Sequence, residues 1–277
     1  MAQFLPITAE EIAERGWDQL DFLFISGDAY VDHPSFGPAV ICRVLEAQGY
    51  KVALLCQPAW DKPEDLAVLG KPRLGVMISG GNLDSMLCHY TAAKHERSVD
   101  KYTPGGKLGA RPDHATMVYA KLAKQLWPEL PVIIGGIEAS LRRFVHFDYW
   151  ESKLLPSILE TSYADLLVYG MGEKQVVEIA DYLAGGASLE DMHYIRGTAY
   201  SCKELPELDE YVELPSWADI QNDRKQFAKA FQLQSKEQDP FYGKTVVQKG
   251  KKRYIVQNPN IYPLTVEEMD AVYDLPY

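Results

Sequence analysis

Cysteine is scarce in this sequence: four residues in 277, Cys42, Cys56, Cys88 and Cys202, standing 14, 32 and 114 positions apart. That spacing contains no C-x-x-C pair and no usual zinc or iron–sulfur arrangement, so the thiols are read as buried small hydrophobes and not as ligands. His89, His95, His114 and His193 show no H-x-x-x-H or H-E-x-x-H spacing, so no metal site is expected from them either. Long apolar runs are also missing. No stretch approaches the roughly 18 apolar residues of a membrane helix, and the first residues lack the basic and apolar regions of a signal peptide. A soluble, cytoplasmic protein with no membrane contact is the expectation. Positive charge is in deficit, with 28 Lys and Arg against 39 Asp and Glu and a formal net charge of -11. Such a field repels phosphate backbones, so nucleic acid is not an expected partner. Neither G-x-G-x-x-G nor G-x-x-x-x-G-K-[ST] occurs, and there is no internal repeat or low-complexity tract.

What is present is a substantial core composition, 47% hydrophobic, arranged in a regular rhythm. Short apolar runs at 21–26, 51–56, 73–79, 131–136 and 165–170 read as strands. Between them lie helical stretches, one opened by Pro38 and stopped at Gly49, one over 112–127, and one from Glu173 to the Gly185–Gly186 pair. This alternation predicts an α/β fold, a doubly wound and mostly parallel Rossmann-like sheet of five strands over residues 1–204. Residues 205–277 read differently. A polar helix over 217–238 and a hairpin over 245–257 turning on Gly250 predict a C-terminal helix-hairpin extension, with little core of its own.

Two long interruptions, 80–111 and 137–164, follow predicted strands and so belong at the carboxyl edge, where open α/β sheets bind ligands. The candidate ligand-binding residues lie in the segments that share this edge. GDAYVDHPSFG at 27–37 supplies Asp28, Tyr30, Asp32, His33 and Ser35 before a helix N-terminus. SGGNLDSM supplies Ser79, Gly80, Gly81, Asn82 and Asp84, and GGIEASLRR supplies Gly135, Gly136, Glu138, Arg142 and Arg143. Glu173 follows the fifth strand. Each has a structural alternative: Asp32, Ser35, Asn82, Asp84 or Ser85 as turn and helix caps, and Glu138 with Arg142 as a helix ion pair. The aromatic run FVHFDYWE at 144–151 reads as core or interface.

The phrases FLPITAEE, GDAYVDHPSFG, RVLEAQGYKV, GNLDSM, YTAAK, GGIEASLRR, HFDYW and DLLVYGMGE together resemble the N-terminal region of the YgiQ-type radical SAM proteins, from Phe4 to Gly186 and more loosely through NPNIYPLT. The resemblance implies a cobalamin-binding-like Rossmann domain ahead of a radical SAM barrel. In that barrel a C-x-x-x-C-x-x-C motif holds a [4Fe–4S] cluster that cleaves S-adenosylmethionine. No such motif occurs here, so no catalytic or metal-binding residue is expected in this chain. The [4Fe–4S] cluster and S-adenosylmethionine are implied for a full-length parent, whose barrel is the implied partner of this chain, with residues 205–277 leading toward it. A cobalamin domain carries D-x-H-x-x-G after its first strand. Here Asp32 and Gly37 match, but Pro34 stands at the histidine position and His33 is one place early. Ser79, the Gly135–Gly136 pair and the Gly170, Gly172 and Glu173 turn do follow the resemblance. The chain is therefore expected to bind cobalamin weakly or not at all. The reading is an accessory domain with a ligand-facing sheet edge; the alternatives are a stand-alone binding or interaction module and a cobalamin-binding domain.

Overall fold

The computed structural model of the protein describes residues 4–277. Its first part runs α1 (Ala9–Glu14), β1 (Phe22–Ser26), α2 (Gly37–Ala47), β2 (Val52–Cys56), β3 (Gly75–Ser79), α3 (Ser85–His89) and α4 (Ala115–Leu126). The chain continues through β4 (Val132–Gly135), α5 (Gly136–Leu141), β5 (His146–Asp148), β6 (Lys153–Leu155), α6 (Ile158–Thr161), β7 (Leu166–Val168) and α7 (Glu173–Ala184). It closes with β8 (Thr198–Cys202), β9 (Tyr211–Leu214), α8 (Trp217–Asn222), α9 (Arg224–Lys236), β10 (Thr245–Lys249), β11 (Tyr254–Gln257) and α10 (Val266–Tyr273).

The five expected strands form as β1, β2, β3, β4 and β7, and they pair in parallel in the order β2-β1-β3-β4-β7. Their residues alternate between two apolar layers, as the two-residue strand period requires. In β1, Leu23 and Ile25 pack with Tyr119 and Ala123 of α4 on one side, and Phe22 and Phe24 pack with α2 and α7 on the other. Both faces are covered, so these strands read as unbroken apolar runs.

The sheet does not stop at five strands. It continues through β8, β11, β10 and β9 to nine, with antiparallel pairing from β7 to β10 and a parallel β10–β9 pair at the edge. The hairpin turning on Gly250 is β10–β11, with Lys249 opposite Tyr254. It is built into the main sheet, where Val246, Val247, Ile255 and Val256 are buried. Hydrogen bonding therefore runs across residue 204 without a break. The expected single helix over 217–238 is two, because Asp223 turns extended and caps the second by accepting from the Lys225 N–H. The aromatic run forms a separate small hairpin, β5–β6. Among the described residues no helix is long and apolar enough to cross a membrane.

Candidate functional site

Because β1, β3, β4 and β7 are parallel neighbours, the segments that follow them leave from one edge of the sheet. The order β2-β1-β3-β4-β7 reverses direction between β1 and β3, and at such a switch point the flanking loops diverge and open a crevice. A cleft of about 330 Å³ lies at this edge. Its floor is apolar, from Met77, Ile133 and Val168, and its rim carries Ser35, Ser79, Asn82 and Glu173 beside the backbone of Gly81, Gly135, Gly136 and Gly172. Glycine is required at Gly136, where φ is +80° and a Cβ would stand 2.6 Å from Ser79 Oγ. Gly37 and Gly172 place the starts of α2 and α7 on the same cleft, and neither helix has a side-chain cap. Their first N–H groups are free to meet a carbonyl, phosphate or carboxylate on a ligand.

The other candidate residues lie outside the lining of this cleft, buried or half-buried except for His33. The guanidinium of Arg111, fully buried, reaches Asp28 at 2.6 Å and Asp100 at 2.9 Å, while the Asn82 N–H donates to Asp28 at 2.6 Å. Burial outweighs the attraction of Arg111 and lifts the Asp28 carboxyl above its ordinary value. Asp32 pairs with Arg43 and accepts from the Tyr30 hydroxyl at 3.2 Å. Desolvation, followed by the Asp32 charge, raises the Tyr30 phenol. His33 is exposed, and its Nδ1 lies 2.7 Å from Ser35 Oγ. Glu138 accepts from the N–H groups of Ser85 and Thr116, each at 2.8 Å, and so ties the starts of α3 and α4 together. Arg142 pairs with Asp84, not with the Glu138 carboxylate, though it also donates to the Glu138 carbonyl at 3.2 Å. Arg143 donates to Gln257 at 2.6 Å and lies over the Phe144 and Tyr169 rings. Burial holds its pKa below the usual arginine value.

The structure thus brings Ser35, Ser79, Gly81, Asn82, Gly135, Gly136 and Glu173 to one cleft, with Gly80 and the charged residues around it. Three participants were not singled out from the sequence, Arg43, Asp100 and Arg111. The only signal for the last two was the length of the 80–111 interruption, which their ion pair orders.

The four cysteines do not fit an iron–sulfur cluster. Cys42 is buried within α2, Cys56 ends β2, Cys88 lies in α3 and Cys202 ends β8. At about 4.8 Å per strand, β8 lies roughly 24 Å from β2 across the sheet. Burial pushes the Cys56 thiol up to about 12 and Cys88 to about 11, and raises Cys42 and Cys202, so the ligating thiolate is disfavoured at each. Among the described residues no group of three or more His, Cys, Asp and Glu is arranged to hold a metal ion.

Fold and cleft together define a doubly wound α/β domain with a crevice at its switch point. The chain belongs to the Radical SAM N-terminal family, whose profile matches residues 4–277. It is 51% identical over 274 residues to a UPF0313 protein of Clostridium botulinum, a match covering 99% of this chain and 42% of that protein. A UPF0313 protein of Clostridium perfringens is 49% identical over 276 residues, again with 99% and 42% covered. The chain therefore spans less than half the length of these curated relatives. Among solved structures it is similar to the radical S-adenosylmethionine methyltransferase TsrM of Kitasatospora setae, with TM-score 0.44 and 16% identity over 66% of this chain and 28% of that one.

Proposed function

We propose that this chain is the accessory domain of a YgiQ-type radical SAM protein, presenting a small-molecule ligand at its carboxyl-edge cleft to a cytoplasmic barrel that carries the [4Fe–4S] cluster and S-adenosylmethionine. The observation that carries the reading is the cleft: apolar floor, close glycine backbone and two uncapped helix starts on one crevice. The family, and relatives of which this chain covers 42%, supply the remaining length in which a barrel would lie. The scattered thiols, two buried and two half-buried, support placing the cluster outside these residues. The role of this chain's own residues is then positional. Gly136 and Ser79 admit and orient a ligand group, and the Asp28–Arg111–Asp100 system holds the loops that frame it.

Anaerobic reconstitution with iron and sulfide tests the proposal on this protein and on the full-length Clostridium botulinum relative in parallel. Cluster absorbance and release of 5′-deoxyadenosine are expected from the relative and from neither measurement on residues 1–277. A stoichiometric cluster on this chain alone, or none on the relative, would overturn it.

A further inference from the structure

Single exposed apolar side chains need no explanation on a protein surface, but a group of them gathered in one place marks a face that something covers. Such a group stands at the carboxyl edge. Every exposed residue in segments 79–90, 135–143 and 169–172, which follow β3, β4 and β7, is apolar or glycine. Leu83, Leu87, Ile137, Leu141 and Met171 are the large ones, between 40 and 63% exposed. The polar residues of the same segments are buried or half-buried. Elsewhere on the surface charge dominates: segment 203–213 exposes Lys203, Glu204, Glu207, Asp209, Glu210 and Glu213.

The short helices beside the cleft explain the pattern, because their polar groups are turned inward. Asp84, Ser85 and Glu138 are buried; the Ser85 N–H donates to Glu138 at 2.8 Å, and Asp84 pairs with Arg142, which holds α3 against α5. Leu83 and Leu87, four positions apart, are left on the outer side, as are Ile137 and Leu141 on α5. Ile137 and Met171 also line the cleft, so the five side chains form an apolar rim at its mouth. Helix α10 brings the chain back to this edge. Its Glu268 lies 2.7 Å from Lys174 in the first turn of α7, while Val272, and Leu275 and Tyr277 beyond the helix, pack against the apolar layer of α2 and α7. Val266 and Tyr273, two turns apart on one face of α10, remain exposed.

A rim without exposed charge fits an apolar protein surface, and the net charge of -11 disfavours anionic lipid headgroups. This chain matches less than half the length of its curated relatives, so a large further part of those proteins is there to cover it. We propose that the rim of Leu83, Leu87, Ile137, Leu141 and Met171 is the face on which the radical SAM barrel docks through an apolar surface of its own, closing the mouth of the cleft. The inference rests on the function proposed above and adds the surface through which the two domains meet.

Carbene footprinting with a photoactivated diazirine, read by mass spectrometry, tests it on this protein and on the full-length Clostridium botulinum relative. Segments 79–90 and 135–143 are expected to be labelled in this protein, and the matching segments of the relative to lose labelling to the level of buried strands. Segments around Phe231 and Tyr242, exposed on the far half of the sheet, are expected to be labelled in both. Aspartate at the relative's positions matching Leu87 and Leu141 is expected to restore labelling of the rim, with circular dichroism verifying the fold. A rim labelled equally in both proteins, or protection that falls around Phe231 and Tyr242 instead, would overturn the proposal. So would a rim already shielded in this protein by a dimer seen in sedimentation, which would make a second copy the occupant. The footprint needs no cluster, so the two proposals fail separately: an exposed rim in a relative that assembles its cluster overturns the docking face alone, and a shielded rim in a relative that assembles none assigns the face to a domain other than a radical SAM barrel and overturns both.

Discussion

The two halves of the nine-stranded sheet use the same hydrogen bonding to opposite effect. In the parallel half, β2-β1-β3-β4-β7, all five strands end at the same edge, and the segments after β1, β3, β4 and β7 frame a cleft where the order reverses. In the other half, β8 and β11 run antiparallel to their neighbours, so successive connections leave from opposite edges and do not converge on one of them. The second half is instead fastened to the first. Glu160 accepts from the N–H groups of Lys251, Lys252 and Arg253 at the hairpin turn, and Gln248 accepts from the Val145 N–H. Parallel pairing concentrates polar groups and their costs at one place; antiparallel pairing extends the core and shields the β7 edge.

That contrast places the largest energetic stakes in the parallel half. Arg111→Met is expected to cost about 3–5 kcal/mol in urea unfolding, because it leaves two buried carboxylates, Asp28 and Asp100, without their shared cation. A loss comparable to that of a surface substitution would break the comparison at its strongest point. Next comes pH. Burial, with smaller effects of Arg142, Asp148 and His114, lowers the His146 pKa to about 4 in the folded protein against an ordinary value of about 6.5, so between these values the unfolded chain binds the extra proton. The contribution of His146 is present above pH 6.5 and is lost as the pH falls toward 4, by up to about 3 kcal/mol. Unfolding midpoints measured across that range are expected to fall less steeply in His146→Gln than in the unsubstituted protein.

In the second half the effects shrink. Gln248→Ala removes the acceptor of the Val145 N–H and the donor to the Pro215 carbonyl, and is expected to cost about 1–3 kcal/mol by the same assay. Lys244→Ala breaks only an exposed pair with Glu210 and is expected to leave the midpoint unmoved. A Lys244 effect as large as that of Arg111 would remove the distinction between the halves.

How much of this was readable in the sequence follows the same division. The parallel strands announced themselves because both their faces are buried, giving apolar runs such as FLFI and VMI, with Gly and Pro marking the helices between. The continuation of the sheet was not announced. The segment at 198–202 mixes Thr, Tyr, Ser and Cys, and nothing in it says that it pairs antiparallel with β7. The candidate site was legible as a set of loops, because each follows a strand. Which side chains line the cleft and which support it was not. Asp28 and Arg111 are 83 positions apart, and a pair of that range leaves no local pattern. His146 and Asp148 belong to a hairpin that the aromatic run concealed.

The most direct test of the central claim, that ligands enter at the carboxyl edge of the parallel half, is a crystallographic fragment screen of this protein. The account predicts that bound fragments concentrate in the cleft among Ser79, Gly136 and Gly172, with polar atoms on the uncapped N–H groups of α2 or α7. A screen with no fragment in that cleft, and fragments gathered on the β8-β11-β10-β9 half, would contradict it.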